Sequence, residues 1–425
     1  MAFPHMFSSR TEESSYGPFG FLNPTIKQAQ FELPQGQQAG QGGSHGRSEG
    51  DGHKNDPARK HEHRPRHVYR ELRTRDNRKG RHPISIPPTS QNDPQYLIPP
   101  HTATLRDTLH TILLMFTYFP IWDISYLVAS IFTLGSLVWV LNAFFVWLPL
   151  QSPSSAFDGE IANAGGISGF VGATIFEVGS VLLMVEAVNE KRGECFGWAV
   201  EEVFEGGKGV LRVRKGECGH HHGNRGNLVG KGKGKGDGGG KQSGDSSLLG
   251  MKLWSRRNWA WWPSWYDLKT HYVKEVGFLA CSSQMIGATV FWISGFTALP
   301  PIYDRLSSSA AQNGAYWLPQ VIGGTGFILS GTLFMLETQK KWYKPAFGNL
   351  GWHIGAWNLV GGIGFTLCGA LGFASANSGC VYQGSLATFW GSWCFLIGSV
   401  IQWFESLGKW PVEVAEGASE EAGDA

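Results

Sequence analysis

Six stretches of this chain are long, apolar and almost free of charge, and nothing else in the sequence constrains its fold as strongly. They run over 124–148, 164–188, 276–299, 316–336, 352–374 and 385–407. Each reaches or slightly exceeds the roughly 20 residues that a helix needs to cross a hydrocarbon core. None alternates polar and apolar positions as a half-buried strand would, nor shows one polar face as a soluble helix would. Glycine recurs inside the runs and tryptophan gathers at their ends, a membrane-helix composition. The expected fold is therefore all-α: a polytopic membrane helical bundle of about six transmembrane helices.

Between these runs the material changes. Residues 1–108 are polar, and stretches such as Gln35–Gly50 lack apolar periodicity; they read as a disordered tail unable to bury enough surface to offset ordering entropy. From Lys54 to Arg81 this tail is densely basic, including Arg70, Arg73, Arg75, Arg78 and Lys79. Such a run is a solvated face or, if it lies near anionic lipid head groups, gains about 1 kcal/mol per basic residue. Nucleic acid is not the expected partner, because stacking aromatics are almost absent there. No secretory leader is expected, since the first insertable run follows more than a hundred polar residues.

Leu105, Leu109, Ile112, Leu113 and Phe116 recur at helical spacing before Pro120. That run is too short to span, so the region 109–123 is expected to lie along the interface as an amphipathic helix. Residues 189–275 form an insertion whose middle, Gly230–Gly244, is a Gly/Lys linker and whose end carries Trp259, Trp261, Trp262 and Trp265 beside Arg256 and Arg257, an interfacial anchor. The membrane hairpins are then 124–188, 276–337 and 352–407, followed by an acidic tail, 408–425.

Lysine and arginine set the expected orientation. Connections 149–163 and 375–384 contain neither, and 300–315 contains only Arg305, whereas Lys269, Lys274, Lys340, Lys341, Lys344 and Lys409 flank the other ends. Both termini are therefore expected in the cytosol.

Aligning the even runs exposes an internal repeat. VGATIFEVGSVLLMVEAV, IGGTGFILSGTLFMLETQ and WGSWCFLIGSVIQWFESL superpose Gly172, Gly323 and Gly391; Phe176, Phe327 and Phe395; and Glu186, Glu337 and Glu405. In the odd runs Gly135, Gly287 and Gly361 align, which brings Trp139, Phe291 and Phe365 to one position and Asp123, Glu275 and Asn349 to another. Three like-oriented hairpins imply an approximate threefold axis along the membrane normal.

Glu177 is an ionisable residue near the middle of the second run, where insertion costs at least about 2.5 kcal/mol. It reads either as a proton or cation site, with Asn142, Gln284 and Asn358 as polar neighbours, or as a protonated side chain bonded to the next helix. Glu186, Glu337 and Glu405 lie one turn from the cytosolic boundary. Their bland role is pairing with boundary lysines, His353 or tryptophan ring nitrogens; their sharper one is an acidic ring at a pore.

Cys218 with His220, His221 and His222, and His61, His63 and His67, have ligand-type side chains without tetrahedral spacing, so no metal is expected. Cys380 alone of six cysteines falls on the outer side, which excludes an intrachain disulfide there. Phosphate-cradling, HExxH and GxSxG motifs are missing, as are paired aspartates or a Ser/His pair within the runs; no enzyme and no cofactor is expected.

The last hairpin, with Trp352, Asn358, Gly361–Phe365 and FWGSWCFLIGS over Phe389–Ser399, resembles the two-helix YrhK-like membrane family. The chain as a whole resembles the multi-spanning integral membrane proteins of filamentous fungi. The resemblance implies a helical-hairpin unit and supplies no catalytic residue. Two functions remain open: a membrane organising or interaction protein, and a small-solute, proton or cation transporter or channel using Glu177.

Overall fold

The computed structural model describes residues 9–32, 67–81, 83–86, 102–190, 192–196 and 259–414. It has six helices long and apolar enough to cross a membrane, and the chain is a multi-pass membrane protein. Three strands come first: β1 (Ser9–Tyr16), β2 (Ile26–Glu32) and β3 (His67–Arg73). They form an antiparallel sheet with β2 central, Ile26 opposite Arg73 and Tyr16 opposite Ile26. A single helical turn, α1 (Thr74–Arg78), continues directly from β3, and the short β4 (Ile84–Ile86) follows. The tail expected to be unstructured from 1 to 108 is therefore built into strands and a helix at 9–32, 67–81 and 84–86, and the rest of it up to 101 lies outside the described residues. So do the Gly/Lys linker, the Cys218–His222 cluster, His61 and His63, and the end of the acidic tail.

Helix α2 (Leu105–Thr117) starts where Thr104 accepts a hydrogen bond from the Asp107 amide, four residues earlier than the expected 109–123. Leu105, Leu109, Ile112, Leu113 and Phe116 are exposed on it, while Met115 is buried and Phe116 lies 6.1 Å from the Trp403 ring. A protein surface so apolar is what an interfacial helix presents.

The spans are α3 (Ile124–Gln151), α4 (Gly166–Val188), then, after a short helix α5 (Trp265–Thr270), α6 (Val276–Thr297), α7 (Leu318–Glu337), α8 (Leu350–Gly372) and α9 (Ser378–Leu407). Boundaries match the apolar runs to within a few residues, except that α9 begins seven residues earlier, where Asn377 accepts from the Gly379 amide. The π-turns Glu160–Gly165 and Asn313–Trp317 lead into α4 and α7. Gly159 enters the first with φ +76°, and a Cβ there would collide with Asn163.

Each span packs against the one before and the one after it, and α9 closes back on α3, so the six form a ring. Close backbone approach is possible because small residues face one another: a Cβ on Gly287 would sit 2.9 Å from the Gly323 carbonyl, and one on Gly355 would sit 3.0 Å from that of Gly331. Asp123, Glu275 and Asn349, aligned in sequence, each directly precede a helix; Asp123 and Asn349 cap theirs by accepting the Ser125 and Gly351 amides. After α9, β5 (Val412–Val414) pairs in parallel with β4, tying the last residues described to the strand that follows α1.

The ring has no hole at mid-height. Trp139, Phe176, Phe291, Phe327, Phe365 and Phe395, one from each span, form a single buried cluster. Neighbouring centroids are 4.9 Å (Trp139–Phe365) to 6.4 Å (Trp139–Phe176) apart, mostly edge to face, the arrangement favoured by the ring quadrupoles. Phe365 is wholly buried, whereas Leu367, two residues on, is 44 % exposed on the outside of the ring. Phe365→Ala should cost about 3–5 kcal/mol as a large-to-small core change and lower the Tm of the detergent-purified protein, whereas Leu367→Ala should leave Tm near the native value. Equal effects in a melting assay would refute a load on the aromatic layer.

Candidate functional site

At the end of the ring where α4, α7 and α9 finish, Glu186, Glu337 and Glu405 point inward and are essentially inaccessible. Each sits in the last turn of its helix, where unsatisfied carbonyls already carry partial negative charge, so burial there demands a cation. The cations come from the segment that β3 delivers into the ring. Arg78 makes a two-pronged pair with Glu337, Nη1 to Oε1 at 2.7 Å and Nη2 to Oε2 at 2.9 Å, and Thr74 Oγ1 donates to the same carboxylate at 3.2 Å. Arg75 Nη2 donates to Glu405 Oε2 at 2.6 Å, and Arg81 Nη1 reaches both Glu405 Oε1 and Asp76 Oδ1 at 3.1 Å. Glu186 accepts from Ser125 Oγ at 2.6 Å. Lys79 Nζ lies 3.7 Å from Glu405 Oε2, and its main-chain carbonyl accepts from Lys409 Nζ, which also pairs with Asp123 at 2.5 Å.

The segment Thr74–Lys79 is buried throughout, a plug formed by the chain itself. Composition places its cations in a solvated or lipid-facing tail, but Arg75, Arg78 and Lys79 are at most 3 % exposed. Nor do the three glutamates pair as expected: His353 Nε2 instead meets the Phe347 carbonyl at 2.8 Å, Lys340 lies over the Tyr16 ring, and Lys409 serves Asp123. The signal that could have revealed the plug is the spacing of Arg75, Arg78 and Lys79, which puts three cations on one face of a single helical turn. Room for them is built into the odd helices. A Cβ on Gly277 would strike Arg78 and Glu337, and one on Gly351 would strike Arg75.

Burial pulls both plug cations toward neutrality, but they respond differently. The Glu337 carboxylate more than offsets burial at Arg78, holding that guanidinium above its ordinary value. At Lys79 burial wins: the ammonium is pushed below the usual lysine range, with Glu186 and Glu405 opposing the shift and Arg75 adding to it.

Between the plug and the aromatic layer lies a small chamber of about 30 Å³, room for one small guest. Arg75, Arg78 and Lys79 form its floor, and Gln284, Asn358 and Gln402 its polar wall. Phe176 and Phe395 of the aromatic layer roof it.

The four residues expected to share one polar site are therefore separated. Gln284 and Asn358 meet in the chamber. Asn142 lies beyond the aromatic layer, donating to the Gly165 carbonyl at 2.6 Å and to Ser168 Oγ at 3.0 Å, which anchors the start of α4. Glu177 is partly buried at the contact of α4 with α6, where Oε1 accepts from Thr289 Oγ1 at 2.9 Å; beside it Trp292 Nε1 donates to Thr174 Oγ1 at 3.0 Å. This is the interhelical tie of the two readings.

A second polar cluster, not evident in the sequence, gathers Glu190, His271 and Glu275 with candidate ligand atoms within 4.8 Å of one another. His271 Nε2 lies 3.5 Å from Glu275 Oε2, and Asn189 bonds both the amide and the carbonyl of Trp-flanked Ala260 through its side chain, so the returning insertion is fastened to the end of α4. Cys380 is half-buried at the opposite end of the ring.

Replacing one member of a buried pair strands the other. Glu337→Gln should cost about 3–5 kcal/mol and open the Arg73–Arg81 region to trypsin, while the double variant Arg78→Met with Glu337→Met should recover most of the protection. A double variant cleaved as fast as the single one would show that the pair does not hold the plug.

No protein-family model, curated protein or solved structure matches this chain.

Proposed function

We propose that this protein is a closed, non-conducting membrane scaffold that organises or recruits partners through the segments it holds at one face. The observation that carries the reading is the double closure of its axis. Six interlocked rings fill the midplane and an ion-paired plug from the same chain fills the end bearing the glutamates. A conducting path needs hydrated polar surface through the bundle, and the aromatic layer offers none. The three hairpins act as one repeated unit, since the aromatic layer and the glutamates each draw aligned residues from every hairpin. Glu177 serves as a helix tie, and the acidic ring as the seat of the plug rather than a gate.

The glutamate end faces the cytosol in this reading, because the flanking lysines cluster there while Arg305 alone marks the other side. Both termini are then cytosolic, and the basic residues ahead of the plug, from Lys54 to Arg73, contact anionic lipid head groups or a protein partner.

Proteoliposomes give the test. Proton and cation flux should stay at the background of empty vesicles for the native chain and for Glu177→Gln alike. Flux above background that Glu177→Gln abolishes would replace the scaffold with a transporter. In sealed vesicles of uniform orientation, epitope tags at the two ends should share the same protease sensitivity; opposite sensitivities would overturn the orientation.

A further inference from the structure

The chamber between the plug and the aromatic layer has one property that its size and lining make chemically specific. All the ionised groups on its wall are cations, Arg75, Arg78 and Lys79; Glu186, Glu337 and Glu405 lie outside the lining. Two of those cations carry donors that no hydrogen bond satisfies: Arg78 Nε and Lys79 Nζ are buried without a hydrogen-bond partner, on residues 3 % and 2 % exposed. An unmet buried donor is costly, and more so when it is charged, so a chamber with two of them is poorly designed to be empty. The remaining polar wall is three side-chain amides, Gln284, Asn358 and Gln402, and the hydroxyls of Ser136 and Ser399; the hydroxyls are bonded within the protein, whereas among the described residues no hydrogen bond engages any of the amides, and Gln284 and Gln402 are 9 % and 7 % exposed.

We propose that this chamber is a binding site for a small monovalent anion of halide size. Arg78 Nε and Lys79 Nζ supply charge-assisted donors, and the amide groups of Gln284, Asn358 and Gln402 turn their N–H ends toward the guest. Volume sets the selectivity: about 30 Å³ admits one halide and rejects sulfate, phosphate or any organic carboxylate. A cation is excluded by the floor, and water alone would offer the two charged donors only a neutral acceptor. Glu186 Oε2, also without a hydrogen-bond partner, is an acceptor outside the lining, and its charge favours the protonated form of Lys79. The site stands whether or not the scaffold reading does, because it depends only on the chamber walls.

The full-length protein in detergent is the material for the test. At constant ionic strength, Tm should rise saturably as gluconate is replaced by chloride or bromide, as expected for a ligand bound only by the folded state, while sulfate should have no such effect. Asn358→Leu with Gln284→Leu removes two amide donors and should weaken halide affinity at least about tenfold without exposing the plug to trypsin. Should that variant fail to fold, chlorine-35 line broadening on the native protein, reversed by bromide, answers the same question. Melting that is identical in chloride and gluconate, together with an unbroadened chlorine signal, would show that the chamber holds water only and overturn the assignment. Channel activity found in the flux assay would leave these readouts unchanged, so the two ideas fail separately.

Discussion

Everything at one end of this molecule follows from placing three carboxylates where they are least welcome. Glu186, Glu337 and Glu405 are buried and stand in the final turns of helices whose own dipoles are negative there. Removing such groups from water is tolerable only against fixed cations in good geometry. The chain provides them from its own N-terminal region, and the rest of the architecture accommodates that choice. The sheet β1–β3 aims the cationic turn, the glycines at 277 and 351 clear space for the guanidiniums, and the parallel contact of β4 with β5 fastens the far side.

The six-membered ring and the aromatic layer complement each other in a similar way. Glycines at the helix contacts bring the backbones close, and a narrow ring leaves an axis that only side chains can fill. Six large rings, one per span, fill it. In hydrocarbon no hydrophobic force draws helices together, so this packing of aromatic edges against faces supplies much of what holds the ring shut.

The spans and their approximate ends are legible in the linear pattern, because membrane helices obey length and polarity limits that leave few alternatives. Phe176 aligns with Phe327 and Phe395, and Trp139 with Phe291 and Phe365, and all six lie in one layer. The partner of the glutamates is not legible in the same way. Arg75, Arg78 and Lys79 sit in a polar, basic stretch that by composition belongs in water, and beyond their spacing on one helical face only the long-range contacts reveal otherwise. Composition describes average solvation, whereas these cations answer to specific carboxylates hundreds of residues away. Glu177 marks the opposite failure: its midplane position suggests a shared polar site, yet Thr289 engages one of its oxygens locally while Gln284, Asn358 and Asn142 go elsewhere.

The pairing of β4 with β5 and of Arg75 with Glu405 joins early residues to nearly the last ones described. A ribosome makes Arg75 long before Glu405 or Val412 exists. The pair of Arg75 with Glu405 and the contact of β4 with β5 can therefore form only after the last hairpin has been made, whereas Arg78 can meet Glu337 earlier. A chain halted before α9 is complete lacks the carboxylate that Arg75 and Arg81 share, so the cationic turn is left short of its counter-charge until the last helix is made.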